Sequence, residues 1–315
     1  MSNDHTPGFN KVALIAGPTA SGKSDLAVRL ALALRDAGQE AVVINADSAQ
    51  VYADLRVLSA RPSAEEMRGV PHKLFGAWDG ADACSAAEWA AAAKAEIALA
   101  HAAGTIPILV GGTGLYIRTL LDGIAPVPPI QDPVREVVRA MTPPQVYAAL
   151  MEEDHAYALQ LNPADRQRTC RALEVVRSTG KSLKEWQQHM VGGIADAITL
   201  APMVLLPERE ALYARCDARF AAMMDDGAVE EVATLLSRQL DPLLPVMCAI
   251  GVREIAGYLH GTWSREGAIA MGQQATRNYA KRQYTWLRHQ PPPGWQRLTA
   301  ESVDLQRDFE ILFRN

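Results

Sequence analysis

The sequence predicts an α/β fold built on a parallel sheet, and three observations carry that prediction. A short apolar run, Val12-Ala13-Leu14-Ile15-Ala16, leads into the glycine-rich stretch Gly17-Pro18-Thr19-Ala20-Ser21-Gly22-Lys23-Ser24 and then into a helix-compatible run from Asp25 to Leu34. Two further runs, Val42-Val43-Ile44 and Ile106-Pro107-Ile108-Leu109-Val110, have the unbroken apolar character of strands buried on both faces. Between them and a later apolar run, Ala197 to Leu206, lies a stretch of helical patterning bounded by proline-rich and glycine-rich breaks. Strand, glycine loop and helix in succession define a P-loop NTPase-like core, and the helical stretch reads as an all-helical insertion in it. The expected division is 1–125 for the first part of the core, 126–195 for the insertion and 196–315 for the second part with C-terminal helices.

The loop fits G-x-x-x-x-G-K-[ST] at every fixed position. Its glycines let backbone N–H groups wrap a phosphate without Cβ clashes. The helix that follows adds free donors and partial positive charge at its N-terminus. Lys23 is placed to reach the outer phosphate, and Ser24 to hold a Mg²⁺ ion. Such a loop grips a diphosphate or triphosphate, and by itself does not say what is done with it.

The second strand ends on Asp47, followed by Ser48-Ala49-Gln50-Val51-Tyr52. Ligands bind at the carboxyl ends of such strands, which puts Asp47 beside the loop. The plainer role for this Asp is a helix N-cap. Ser85 to Ala103 reads as an alanine-rich helix stopped by Gly104. The strand after it closes on Gly111-Gly112-Thr113-Gly114, where many nucleotide hydrolases carry a Mg²⁺-orienting Asp. That replacement argues for a substrate channel and against ordinary ATP hydrolysis.

Ile124 to Pro133 contains three prolines before Pro133 closes it and reads as a linker. From Val134 to about Met190 the pattern is helical, with an Asn162-Pro163-Ala164-Asp165 turn supplying an N-cap and Gly180 a stop. Helices are expected over Arg209–Asp226, Val229–Ser237, Met247–Leu259 and Glu266–His289. Arg215 and Arg219 share a face of the first, and Arg277, Lys281 and Arg288 a face of the last, with Trp286 turned away. A solvated basic face is the plainer reading of such charges.

Composition bounds the rest. With 49% hydrophobic and 21% charged residues in 315, the chain is a soluble globular protein with a core that needs no staples. Cys84, Cys170, Cys216 and Cys248 form no C-x-x-C pair, which points to reduced thiols in a cytoplasmic protein and excludes a zinc site or a disulfide framework. The N-terminus, Met1 to Asn10, has no apolar signal core, and no run approaches membrane-spanning length. A net charge of −5 gives no global basic signature, so nucleic-acid binding has to rest on local patches.

Taken in order, the motifs resemble those of the tRNA dimethylallyltransferase family, also called tRNA isopentenyltransferases. The resemblance rests on Gly17 through Ser24, Asp47-Ser48-Ala49-Gln50-Val51-Tyr52, Pro71-His72 and Gly111-Gly112-Thr113-Gly114-Leu115-Tyr116. It continues through Asn162-Pro163 with Asp165, Gln167-Arg168-Thr169-Cys170-Arg171-Ala172-Leu173-Glu174, Thr276-Arg277, and Ala280-Lys281-Arg282-Gln283-Tyr284-Thr285-Trp286-Leu287-Arg288. The loop alone is shared with many families; the later motifs are far more specific.

The resemblance implies transfer of a dimethylallyl group from dimethylallyl diphosphate to N6 of the adenosine 3′ to the anticodon, position 37 of tRNA. It implies Mg²⁺ as cofactor, a helical insertion that grips the anticodon stem–loop, and no obligate protein partner or membrane. Asp47, Lys23 and Thr19 are then catalytic. Gly17, Pro18, Thr19, Ala20, Ser21, Gly22, Lys23, Ser24 and Arg219 hold the diphosphate. Asp47, Ser48, Ala49, Gln50, Thr113, Arg135, Gln167, Arg168, Thr169, Cys170, Arg171, Arg253 and Lys281 face the tRNA. The chemistry is coherent: the exocyclic amine is a poor nucleophile, Asp47 accepts its proton, and the loop stabilises departing pyrophosphate.

The chain departs from the family's pattern at Cys248 and Val252, where a polar group and an aromatic ring are usual, and at Leu58-Ser59-Ala60-Arg61-Pro62. The rival is a P-loop small-molecule kinase, which shares the loop and a base at Asp47 but leaves the insertion and the Lys281–Arg288 motif without a role.

Overall fold

The computed structural model describes residues 10–314; most of the polar N-terminal stretch read above lies outside them. Strand β1 (Lys11–Ala16) has no solvent-accessible surface from Val12 to Ala16, which explains why its sequence does not alternate. Helix α1 (Lys23–Asp36) covers one face of it with Leu26, Leu30 and Leu34, spaced four apart and all fully buried. Each such leucine contributes about 1.5–3 kcal/mol relative to exposure. Strand β2 (Ala41–Asn45) follows, then helix α2 (Ala64–Met67), strand β3 (His72–Lys73), helix α3 (Ala86–Ala102), strand β4 (Ile106–Gly111) and helix α4 (Gly114–Asp122). Ser85 and Glu88 form a capping box that starts α3.

Leu121–Ile194 forms one compact unit, and the described residues on either side form the other. The smaller unit holds strand β5 (Gly123–Ile124), helices α5 (Asp132–Ala140), α6 (Pro143–Glu153), α7 (His155–Ala158), α8 (Arg166–Thr179) and α9 (Leu183–Trp186), and strand β6 (Val191–Gly192). Its own core is Val138, Val146, Leu150, Ala158, Ala172 and Leu173. It is not purely helical: β5 and β6 pair antiparallel, Gly123 opposite Gly192. That ladder starts the unit at Leu121 and not after the prolines. The glycine-rich break is its return strand, where a Cβ on Gly193 would stand 2.3 Å from the Leu121 carbonyl oxygen.

The larger unit resumes with strand β7 (Thr199–Leu205), helices α10 (Arg209–Asp225), α11 (Ala228–Ser237), α12 (Val252–Leu259) and α13 (Arg265–His289), strand β8 (Gln296–Leu298), and helices α14 (Leu305–Asp308) and α15 (Glu310–Phe313). Its sheet runs β3-β2-β4-β1-β7-β8, and every neighbouring pair is parallel. Ala16 stands opposite Gly111 on one side and Val204 on the other, and Asn45 opposite Val110. The glycine loop, Asp47 and the Gly111–Gly114 turn therefore leave the same edge of the sheet. The expected helix from Met247 begins only at Val252, because Gly251 takes a left-handed φ of 95°. Among the described residues, no helix is long and apolar enough to cross a membrane, and all four cysteines are free thiols.

Candidate active site

The loop is fixed by three parts of the chain remote from it. The Gly17 amide donates to the Gly111 carbonyl at 3.1 Å. Arg215 donates from Nε to the Ala20 carbonyl at 2.9 Å. Gln283 accepts from the Thr19 amide at 2.8 Å and donates to the Gly112 carbonyl at 3.1 Å. Gly22 and Ala20 take left-handed φ values of 86° and 60°, the second being a conformation that alanine rarely holds. Lys23 opens α1, is buried, and donates to the Pro18 carbonyl at 3.3 Å. Burial pulls its ammonium below the ordinary lysine range; the nearby Asp47 charge opposes that shift and Arg219 adds to it.

Asp47 is held by its neighbours. Its amide donates to Asn45 Oδ1 at 2.9 Å, and Asn45 Nδ2 donates to its carbonyl at 3.0 Å. Its carboxylate Oδ1 accepts the Ala49 amide at 3.1 Å, closing a local turn that no helix follows, so Asp47 caps no helix. Asp47 is only 6% exposed and still faces the cavity. Trp89 Nε1 anchors the strand end by donating to the Asn45 carbonyl at 2.9 Å. Beside the carboxylate, the Ser48 amide donates to Thr113 Oγ1 at 2.9 Å, and the two hydroxyls lie 3.2 Å apart. The Tyr279 hydroxyl bonds to both, and burial together with the Asp47 charge holds it protonated far above the ordinary phenol range.

Thr19, Lys23, Asp47, Ser48 and Tyr279 line one cavity of about 650 Å³, while Thr113, Arg215, Gln283 and the rest of the Gly17–Gly22 stretch stand behind that lining. Its polar lining includes Thr19, Lys23, Ser24, Arg219, Asp47 and Ser48. Its apolar lining includes Val57, Leu58, Phe220, Met223 and Ile250. The structure separates the two arginines of α10: Arg215 holds the loop, and Arg219 stands in the cavity. Enclosure by protein lowers the Arg219 guanidinium pKa, and Arg215 lowers it further.

Ser24 lines the cavity and could offer one hydroxyl to a cation. Strand β4 ends on Gly111 without a carboxylate, and no cluster of three metal-ligating side chains exists among the described residues. A sparse donor set of this kind fits Mg²⁺ held mainly through substrate phosphates and water, its usual mode in phosphate sites.

The residues expected to face RNA are distributed unevenly. Gln50 is buried and its amide is spent on the Ser59 and Ala60 carbonyls. On α8, Gln167, Arg168 and Arg171 are exposed, with Arg168 paired to Asp165 at 3.3 Å. Cys170 is half-buried. Thr169 is fully buried, and its hydroxyl donates back to the Asp165 carbonyl at 3.0 Å, so its side chain serves the helix and not a ligand. Arg135 on α5 pairs with Asp132 at 3.5 Å. Arg253 and Lys281 are exposed and lie outside the cavity lining. Arg277 is not free on the basic face; it pairs with Asp217 at 2.5 Å. Trp286 packs on Gly114, where a Cβ would meet its ring at 2.4 Å.

Tyr279 and Glu231 escaped the sequence reading. Thr276, Tyr279 and Arg282 all line the cavity at spacings of three, a helical periodicity that the basic residues alone had drawn attention from. Nothing local marks Glu231, whose partners lie more than 170 residues away.

A phosphate-loop motif and a buried carboxylate lining one cavity define a P-loop α/β protein with a candidate active site. The IPP transferase family model matches residues 50–290, and an isopentenyl transferase model matches residues 10–75. The chain belongs to the IPP transferase family. It is 66% identical over 303 residues to a tRNA dimethylallyltransferase of Erythrobacter litoralis, covering 96% of each chain. It is 68% identical over 278 residues to one of Novosphingobium aromaticivorans, covering 88% of this chain and 99% of that one. A solved tRNA isopentenylpyrophosphate transferase of Bacillus halodurans superposes with a TM-score of 0.66 at 30% identity, over 96% of this chain and 94% of that one. A eukaryotic dimethylallyltransferase acting on tRNA gives 0.73 at 26% identity, over 96% and 72%. The chain is thus a tRNA-modifying prenyltransferase, and the small-molecule kinase reading is not favoured.

Proposed function

We propose that this chain transfers the dimethylallyl group of dimethylallyl diphosphate to N6 of adenosine 37, with Asp47 as proton acceptor and the Gly17–Ser24 loop as diphosphate site. The observation that carries the reading is the placement of Asp47 and Lys23 on one cavity, close enough that each charge acts on the other. The N6 lone pair is delocalised into the ring and gains nucleophilicity as its proton moves to the Asp47 carboxylate. The N6–C1 bond forms, the C1–O bond breaks, and its electron pair leaves on pyrophosphate. Lys23, Arg219 and the loop amides stabilise that charge. Thr19 and Ser24 add hydroxyl contacts. When bound through Ser24 and the diphosphate, Mg²⁺ supplies further neutralisation of the leaving group.

The target base has to leave the anticodon-loop stack to reach Asp47. Tyr279 and Ser48 line the cavity beside that carboxylate and offer hydroxyls to the base, with Thr113 holding Ser48 from behind. We assign Gln167, Arg168 and Arg171 with Arg135 to the anticodon stem–loop, as phosphate and stacking contacts on single-stranded RNA. Arg253 and Lys281 are assigned to the tRNA on the larger unit. Mass analysis of nucleosides from an anticodon hairpin incubated with dimethylallyl diphosphate tests the reading. Prenylated adenosine is expected with adenosine at position 37 and none with guanosine there; a phosphorylated product formed from ATP would contradict it.

A further inference from the structure

The cavity wall from Leu55 to Arg61 has no regular secondary structure, yet two side chains hold it firmly. Glu231 on α11 accepts the Arg56 and Val57 amides on Oε1 at 2.5 and 3.0 Å, and the Leu58 amide on Oε2 at 2.9 Å. Three amides converging on one carboxylate make charge-assisted bonds, about twice as strong as neutral ones. From the other side, Gln50 Nε2 donates to the Ser59 and Ala60 carbonyls at 3.0 and 2.8 Å. Gln50 follows Asp47 by three residues, so the wall is registered to the carboxylate itself.

The side chains on this wall are fitted as closely as its backbone. A Cβ on Gly251 would stand 2.5 Å from Leu58 Cδ1 and 3.0 Å from the Phe220 ring. A Cβ on Gly272 would stand 2.0 Å from the same ring. Leu58 and Phe220 therefore interlock against two glycines, and both still line the cavity. Along α10 the lining changes with each turn. Arg215 holds the loop, Arg219 stands in the cavity, and Met223 is the next cavity residue on that face. One turn rises about 5.4 Å, so Met223 follows Arg219 along the cavity wall by that much. Elsewhere in the lining, the Tyr52 hydroxyl accepts the Cys84 amide at 3.1 Å, and Tyr116 stacks on Trp89 at 4.5 Å.

We propose that the Leu55–Arg61 wall, pinned by Glu231 and Gln50, limits the donor to a five-carbon prenyl group, with Leu58 and Phe220 as its stop. Glu231 is then a positioning residue for donor selectivity. The proposal rests on the donor assignment made above.

The test compares kcat/KM for dimethylallyl and geranyl diphosphates on one anticodon hairpin, using the full chain, Leu58→Ala and Glu231→Gln. Adding carbons to a tight apolar pocket discriminates by about 10–200-fold per methylene-scale misfit. Leu58→Ala is expected to raise the geranyl-to-dimethylallyl ratio at least about tenfold. Glu231→Gln keeps one acceptor but turns an N–H donor toward the amides, and is expected to raise the ratio in the same direction. General damage to the fold lowers both donors together and leaves the ratio in place. Should Leu58→Ala not fold, Glu231→Gln decides alone. An unchanged ratio in every folded variant, with normal dimethylallyl transfer by the parent chain, overturns the wall and leaves the donor assignment standing. No dimethylallyl transfer by the parent chain overturns the donor assignment, and this proposal with it.

Discussion

Gln283 and Thr19 are separated by 264 residues and joined by one hydrogen bond, the Thr19 amide donating to the Gln283 side-chain oxygen at 2.8 Å. Nε2 of the same Gln283 side chain donates to the Gly112 carbonyl at 3.1 Å. Helix α13 thus spaces the phosphate loop from the end of β4. Gln283→Leu leaves both backbone groups without partners, at about 1–3 kcal/mol for each buried group. Denaturant unfolding should show that loss. The KM for the prenyl diphosphate should rise while tRNA affinity holds.

Lys23 gives donor binding a pH dependence. Burial lowers its pKa in the free enzyme, and only the charged form attracts the diphosphate. Donor affinity should therefore fall as the pH rises through a midpoint below the ordinary lysine value of 10.5. The sign follows from loss of the cation, since the diphosphate stays fully ionised in that range. Lys23→Ala should bind donor weakly and lack this limb. Calorimetric titration across alkaline pH checks it; an identical limb in the variant would assign the ionisation elsewhere.

Arg168 and Arg171 are three apart on α8 and both are exposed. If both meet the anticodon loop, replacing them with alanine should weaken tRNA binding. It should also make the dependence of log affinity on log salt shallower by about 1.4, twice the roughly 0.7 per single-strand phosphate. Donor binding should not change. Titrations at several salt concentrations decide the matter, because a solvated helix face would leave both affinity and slope in place.

Much of the central core was legible because it is written in local pattern. Val12–Ala16, Val42–Ile44 and Ile106–Val110 are apolar without interruption, and all three are buried parallel strands. His72–Lys73 and Gln296–Leu298 were not legible as strands, being two and three residues long with no periodicity to read. The glycine loop and Asp47 stood out through motif and strand end. Tyr279 and Glu231 did not, since their roles exist only through contacts that folding creates. Thr169 shows the converse: a residue inside a recognisable motif whose side chain turns inward to its own helix.

The most direct test of the account is the single-turnover rate of Asp47→Asn with saturating tRNA and dimethylallyl diphosphate. The substitution keeps the shape and leaves Oδ1 able to accept the Ala49 amide, so folding and both binding steps should be nearly unchanged. Transfer should slow by roughly 10²–10⁴-fold, the usual worth of a positioned general base. An unchanged transfer rate would contradict the assignment of Asp47 as the group that takes the adenine proton.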